Sequence, residues 1–80
     1  MTVSVELSYY PLKESYGPAV SELIARLRNR PNLKTESGSM SILLYGEYEA
    51  VFAALREEIL HFMELYPSVF LVKLSNCCPV

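Results

Sequence analysis

The sequence predicts an α+β domain of the ferredoxin-like type, βαββαβ, with a four-stranded antiparallel sheet and two helices on one face. Several short segments alternate between apolar and polar residues, as strands do. Two longer segments carry apolar residues at helical spacing. The order of these segments is that of the split β-α-β unit, whose right-handed crossovers give the spatial strand order 4-1-3-2. The 80 residues correspond to a single domain, 1–80.

The first strand has two unlike sides and is predicted to lie at the centre of the sheet. Pro11 ends its pairing, because proline has no N–H to donate. The aliphatic side needs a helix layer over it, whereas the polar side is where function is expected. The aliphatic side carries Val3, Val5 and Leu7, and the polar side carries Ser4, Glu6, Ser8 and Tyr10.

Two helices are predicted from apolar stripes at spacings of three and four residues. The first covers residues 16–29, where Ser15 or Gly17 is the cap and Pro31 stops the helix. The second follows Gly46 and ends near Tyr66. On its outer side, Arg56, Glu57 and Glu58 predict a solvated surface. The stripes are Val20, Leu23, Ile24 and Leu27 on the first helix, and Val51, Phe52, Leu55, Ile59 and Phe62 on the second.

Three further strands are predicted at residues 33–37, 40–46 and 69–76. Gly38, which is free to take a positive φ, lies in the predicted turn between the second and third strands, and Gly46 breaks the third strand. The sheet surface without helices is called the open face. Its predicted members are Ser4, Glu6, Ser8, Tyr10, Ser41, Leu43, Tyr45, Leu71, Lys73 and Ser75.

Composition narrows the classes of function. The net charge is −2, and residues 26–30 are the one basic run, at a helix end where cations favour the dipole, so nucleic-acid binding is disfavoured. There is no apolar run long enough to span a membrane and no export leader. The adjacent Cys77 and Cys78 are expected to be reduced, in a cytoplasmic protein. Hydrophobic residues make up 51% of a small domain, which favours a homodimer or a dimer of dimers.

The sequence does not favour an enzyme. It has one histidine, His61, and no aspartate, and there is no nucleophile with a base beside it. The loop at residues 11–17 has neither the cysteines of metal-transport domains with this fold nor the arginine of acylphosphatases. RNA-recognition domains combine aromatic and basic residues on the central strands, and the charge balance here does not fit that pattern. We therefore expect neither a catalytic residue, nor a metal site, nor a cofactor.

Four segments, in order, resemble the YkoF-type thiamin/hydroxymethylpyrimidine-binding family. Residues 8–12 read Ser-Tyr-Tyr-Pro-Leu and resemble the S-x-Y-P-L/M that ends the first strand in that family. Met40-Ser41, followed by a strand and Gly46, resembles the third strand. Val51-Phe52 and Leu60-His61 fall where similar pairs occur in the second helix. Residues 75–79 resemble the closing S-x-G-C-P, although Cys77 stands in place of the usual glycine and the chain stops at Val80.

The resemblance implies a ferredoxin-like domain, also described as an alpha/beta sandwich, that binds the aminopyrimidine part of thiamin without catalysis. Because such domains pair, a single copy would form at least a homodimer. An aminopyrimidine needs an acceptor for its amine, a donor for a ring nitrogen, and aromatic walls. The candidate ligand-binding residues are Glu6, Ser8, Tyr10, Ser41, Tyr45, Ser75 and Asn76.

Two other interpretations of the open face stay open at this point. Glu6 and Lys73 lie on neighbouring predicted strands and can form an exposed ion pair of ~0–1 kcal/mol. The whole face can instead serve assembly alone, in a small regulatory or scaffold subunit. A pocket left between paired sheets, lined by Ser8 and Ser41, would favour ligand binding, and complete burial of those faces would favour the scaffold.

Overall fold

The computed structural model describes residues 1–13, 17–38 and 41–77. Its elements are β1 (Thr2–Pro11), α1 (Gly17–Arg28), β2 (Leu33–Ser37), β3 (Ile42–Glu47), α2 (Tyr48–Leu65) and β4 (Ser68–Ser75). The four strands form one antiparallel sheet in the order β2-β3-β1-β4. This confirms the predicted fold class and the central position of β1 and β3. Within the described residues, no helix is long and apolar enough to cross a membrane.

The hydrophobic core lies between the sheet and the two helices. β1 contributes its alternate residues from Val3 to Tyr9, because the period of two points every second side chain at the helices. Tyr9 stacks on Phe70 of β4, with 4.4 Å between ring centroids, and meets the edge of Phe62 of α2. The side chains that are less than 2% exposed are Phe62, Leu7, Leu23, Leu27, Leu44, Val5 and Val51.

Two predictions about the turns need correction. Strand pairing continues through Pro11, which lies opposite Ser68, and the N–H of Leu12 still donates to the carbonyl oxygen of Pro67. Gly38 does not have a positive φ; its N–H closes the turn by donating to the Ser41 carbonyl oxygen at 2.8 Å. Residue 39 of the predicted turn and residue 40, the predicted start of the third strand, lie outside the described residues, as does the proposed cap Ser15.

Gly46 does not break β3, which continues to Glu47 before α2 begins. The glycine is required by a close approach instead. A Cβ at this position would lie 2.9 Å from the backbone carbonyl oxygen of Asn32 and 3.5 Å from side-chain atoms of Leu33 and Val51. The strand therefore passes the α1–β2 connection at a distance that only a residue without a side chain permits.

The outer side of α2 is not uniformly solvated, because Glu58 is buried with 5% of its surface exposed. Arg26 of α1 donates a hydrogen bond to Glu58 Oε1, and Arg30 donates from Nη2 to Oε2 at 2.8 Å. Arg30 also contacts the exposed Glu57 at 2.7 Å. Burial raises the pKa of the Glu58 carboxyl, but the two arginines outweigh this effect and the pKa is lowered overall. These charges therefore join α1 to α2.

Candidate functional site

The open face is arranged as rows of side chains that run across the strands. One row contains Ser75, Ser4, Tyr45 and Lys34, from β4 to β2. The next row contains Lys73, Glu6, Leu43 and Glu36. Successive rows are about 7 Å apart, because they differ by two residues along each strand. Two further rows contain Leu71 with Ser8, and Val69 with Tyr10.

Glu6 is the centre of the polar contacts on this face. Lys73 Nζ lies 3.2 Å from Glu6 Oε1, so the predicted cross-strand ion pair is present. The Ser41 hydroxyl donates to Glu6 Oε2 at 3.3 Å. The Glu6 side chain is 31% exposed and the Lys73 side chain 68% exposed. The carboxylate is thus held between a cation on β4 and a hydroxyl beside β3, and it still reaches solvent.

The two predicted aromatic walls lie at different distances from Glu6. Tyr45 is one row away, and Lys34 Nζ lies 5.9 Å from the centre of its ring. Tyr10 is 48% exposed and lies two rows away in the opposite direction, about 13 Å along β1. A single ring bound at Glu6 can therefore be covered by Tyr45 but not by both tyrosines. Ser8 is half-buried and lies between Glu6 and Tyr10.

Ser75 and Asn76 lie at the Tyr45 end of the face, where β4 stops. The Ser75 hydroxyl oxygen accepts a hydrogen bond from the backbone N–H of Cys77 at 3.1 Å, and Cys77 Sγ lies 3.0 Å from it. Asn76 is exposed. Cys78 lies outside the described residues, so the expectation that both cysteines are reduced stays a prediction.

Ser4 is the member of this face that sequence reasoning placed but did not single out. It is only 4% exposed, because it lies between Tyr45 and Ser75 on the neighbouring strands. Its hydroxyl has no hydrogen-bond partner within the described part of the chain. The position of Ser4 in a predicted polar row did not indicate that the side chains of its neighbours would bury it.

The single histidine is remote from the open face. His61 is on α2, where its Nε2 is buried and lies 4.0 Å from Glu22 of α1. Among the described residues, no group of three or more His, Cys, Asp or Glu side chains is arranged to hold a metal ion.

No protein-family model matches this chain, and no curated protein is similar to it. Solved structures, in contrast, share its fold. A hypothetical protein from Methanocaldococcus jannascii superposes with a TM-score of 0.83 at 23% identity, over 95% of this chain and 80% of that one. A domain of unknown function, DUF77, from Bacillus cereus gives 0.77 at 17% identity, over 96% and 77%.

One structural neighbour has a described role. It is a protein from Thermotoga maritima called a "putative thiamine biosynthesis/salvage protein". It superposes with a TM-score of 0.72 at 18% identity, over 96% of this chain and 85% of that chain. At these identities the likeness shows the ferredoxin-like fold.

Proposed function

We propose that this protein binds thiamin or its hydroxymethylpyrimidine part on the open face and does not catalyse a reaction. The observation that carries the proposal is the Glu6 carboxylate, which is held by Lys73 and Ser41 yet remains accessible. The exocyclic amine of an aminopyrimidine is a donor, and a carboxylate is the acceptor that suits it. The Ser41 hydroxyl has a single proton, so it would release Glu6 Oε2 in order to donate to a ring nitrogen, and Tyr45 can cover the ring.

Lys73 does not prevent such binding. An exposed ion pair contributes only ~0–1 kcal/mol, so a ligand that hydrogen-bonds the carboxylate can replace it at small cost. The Glu6 carboxylate also offsets the positive charge of a thiazolium ring. Ser8 and Tyr10 lie on one side of Glu6 along this face, and Ser75, followed by Asn76, lies on the other. The rest of a longer ligand such as thiamin would contact the residues on one of these two sides. No cofactor other than the ligand is proposed.

The site is proposed to be completed by a second copy of the chain. Leu71 is 61% exposed and Val69 is 45% exposed on the open face, beside the polar cluster. Apolar side chains in such positions favour a covering partner. Two open faces packed together would leave the polar rows as a pocket between them. The resemblance in sequence and the thiamine-related description of the Thermotoga maritima neighbour support a role in thiamin or precursor uptake or salvage. The cytoplasm is the proposed location, because Cys77 and Cys78 are expected to be reduced.

The same apolar residues favour one alternative, a scaffold subunit whose open face serves only for assembly. In that case the faces would be buried completely and no small ligand would fit. The two functions differ in one measurable property, the affinity for an aminopyrimidine.

Isothermal titration calorimetry with thiamin and with hydroxymethylpyrimidine, side by side, tests the proposal. Ser41→Ala and Glu6→Gln are each expected to weaken binding about ten- to a hundredfold, because a buried polar group without its partner costs ~1–3 kcal/mol. Glu49→Gln is the matched control, since Glu49 is exposed on α2. Glu57 is less suitable because it pairs with Arg30.

Thermal unfolding of each variant separates a lost contact from a lost fold. If neither compound binds to the parent protein, ligand binding is wrong and the scaffold function is favoured. If both variants bind as tightly as the parent, the ligand lies elsewhere on the chain.

A further inference from the structure

The outer edge of β4 lacks the features that normally keep a sheet edge from pairing. β4 is an edge strand of the sheet, and within the described residues 1–13, 17–38 and 41–77 it pairs with β1 alone, so that its other edge presents backbone donors and acceptors over eight residues. Charged residues, prolines or bulges usually protect such an edge. β4 has a single charged residue, Lys73, which pairs with Glu6. The opposite edge strand, β2, is shorter and carries Lys34 and Glu36.

Both sides of β4 are apolar and accessible. Leu71 is 61% exposed, whereas Val69, Val72 and Leu74 are each 45% exposed. Val69 and Leu71 lie on the open face, and Val72 and Leu74 lie on the helix side, where they remain exposed. An edge strand with four exposed aliphatic residues is expected to pair with another strand.

A groove between β4 and α2 continues this surface. Its volume is about 520 Å³, and its lining is almost entirely apolar apart from Arg56 at the rim. Leu60 is 58% exposed and Met63 is 48% exposed. Val72 belongs to both the groove and the strand edge, so the two form one continuous apolar surface. The other apolar side chains that line the groove are Phe52, Leu55 and Ile59.

We propose that this surface binds a second copy of the chain, with β4 pairing antiparallel to β4 of the partner so that the sheet continues across the dimer. Successive side chains of a strand point to opposite faces of the sheet. The helices of both copies therefore lie on the same face of the continuous sheet only if each residue that faces the helices is opposite a partner residue that also faces the helices. A two-fold axis therefore places Leu71 or Val72 opposite its own counterpart. In either register the exposed aliphatic residues of both sides become cross-strand neighbours.

The charges on α2 favour a copy of the same chain as the occupant. Glu64 lies in the last turn of α2, where the helix dipole disfavours a carboxylate and where there is no basic residue. The structure gives neither Glu64 nor Arg56 an ion pair within the described residues. The two-fold axis makes the partner's helix antiparallel to α2. This arrangement brings Arg56 of each chain toward Glu64 of the partner subunit.

The size of the surface is also consistent with a dimer. Eight residues give an edge of about 26 Å, and pairing along this edge alone would bury only a narrow strip of surface. A stable interface buries about 800 Å² per partner, so the α2 groove must contribute as well. Of the open face, this contact uses only Val69 and Leu71 at the β4 edge. Pairing through β4 is therefore compatible with packing of two open faces, and the two contacts together would produce a dimer of dimers.

Analytical ultracentrifugation of the full chain, across micromolar concentrations, tests the proposal. Val72→Lys places a charge at the strand edge and is expected to weaken association at least tenfold. Leu12→Lys is the matched control, because Leu12 is 60% exposed and lies outside β4 and the groove. A parent protein that sediments only at 9.1 kDa would overturn the proposal, as would a folded Val72→Lys variant that associates like the parent.

A second pair of variants keeps the test decisive if Val72→Lys does not fold. Arg56→Glu changes only an exposed residue, and it is expected to weaken the dimer by placing like charges together. Adding Glu64→Arg to that variant is expected to restore association. An unchanged dissociation constant for Arg56→Glu, or no recovery in the double variant, would contradict the antiparallel arrangement of the two α2 helices.

Discussion

Replacing Glu58 by glutamine is expected to destabilise the fold more than the same change at its neighbour Glu57. The Glu58 side chain is 6% exposed and accepts hydrogen bonds from both Arg26 and Arg30. Glutamine has nearly the same shape, but its amide nitrogen is a donor and would face a guanidinium. The variant therefore loses the charge and one acceptor, and leaves two cations close together.

The size of the effect follows from the exposure of the three side chains. Breaking a fully buried ion pair costs ~3–5 kcal/mol. Here Arg26 is 40% exposed and Arg30 is 24% exposed, so water replaces part of the lost interaction. We expect a loss of about 2 kcal/mol in the free energy of unfolding. For a domain of this size, that corresponds to a decrease in Tm of roughly 8–16 °C.

Urea and thermal unfolding followed by circular dichroism measure the difference, at one fixed protein concentration because association would also shift Tm. Glu57→Gln is the matched control. Glu57 is 56% exposed, and Arg30 is its one ion-pair partner in the part of the chain that the structure describes, so its loss should cost ~0–1 kcal/mol. If the two variants unfold within about 0.5 kcal/mol of each other, the buried charge network does not stabilise the contact between α1 and α2.

Two further predictions concern stability. The folded pKa of Glu58 lies below its ordinary value of 4.5, so the carboxylate contributes stability that is fully present above about pH 4.5 and is lost as the pH falls through the lowered pKa. Stability measured across an acid titration should therefore decline less steeply for Glu58→Gln than for the parent, and parallel curves would contradict this. Gly46→Ala should cost ~1–3 kcal/mol, because its Cβ would lie 2.9 Å from the Asn32 carbonyl oxygen. Gly17→Ala, which has open space around it, should be neutral or slightly stabilising by the same chemical denaturation measurement.

The sequence by itself determined the order and type of the elements, because period-two and helical spacings are local properties. The alternation from Val3 to Tyr10 predicted both faces of β1, and strand connectivity with right-handed crossovers then predicted the order β2-β3-β1-β4. The same reasoning placed Glu6 beside Lys73 and on the same face as Ser41, and the structure brings these three side chains into contact.

Only the tertiary structure decided how neighbouring elements use particular residues. Glu58 has the sequence context of a solvated helix position. Its burial depends on hydrogen bonds from Arg26 of α1 and from Arg30, which follows the end of α1. Gly46 resembles a strand terminator, but its role depends on the distance to the Asn32 carbonyl oxygen. These properties arise from packing between segments far apart in the chain, which a local pattern does not contain.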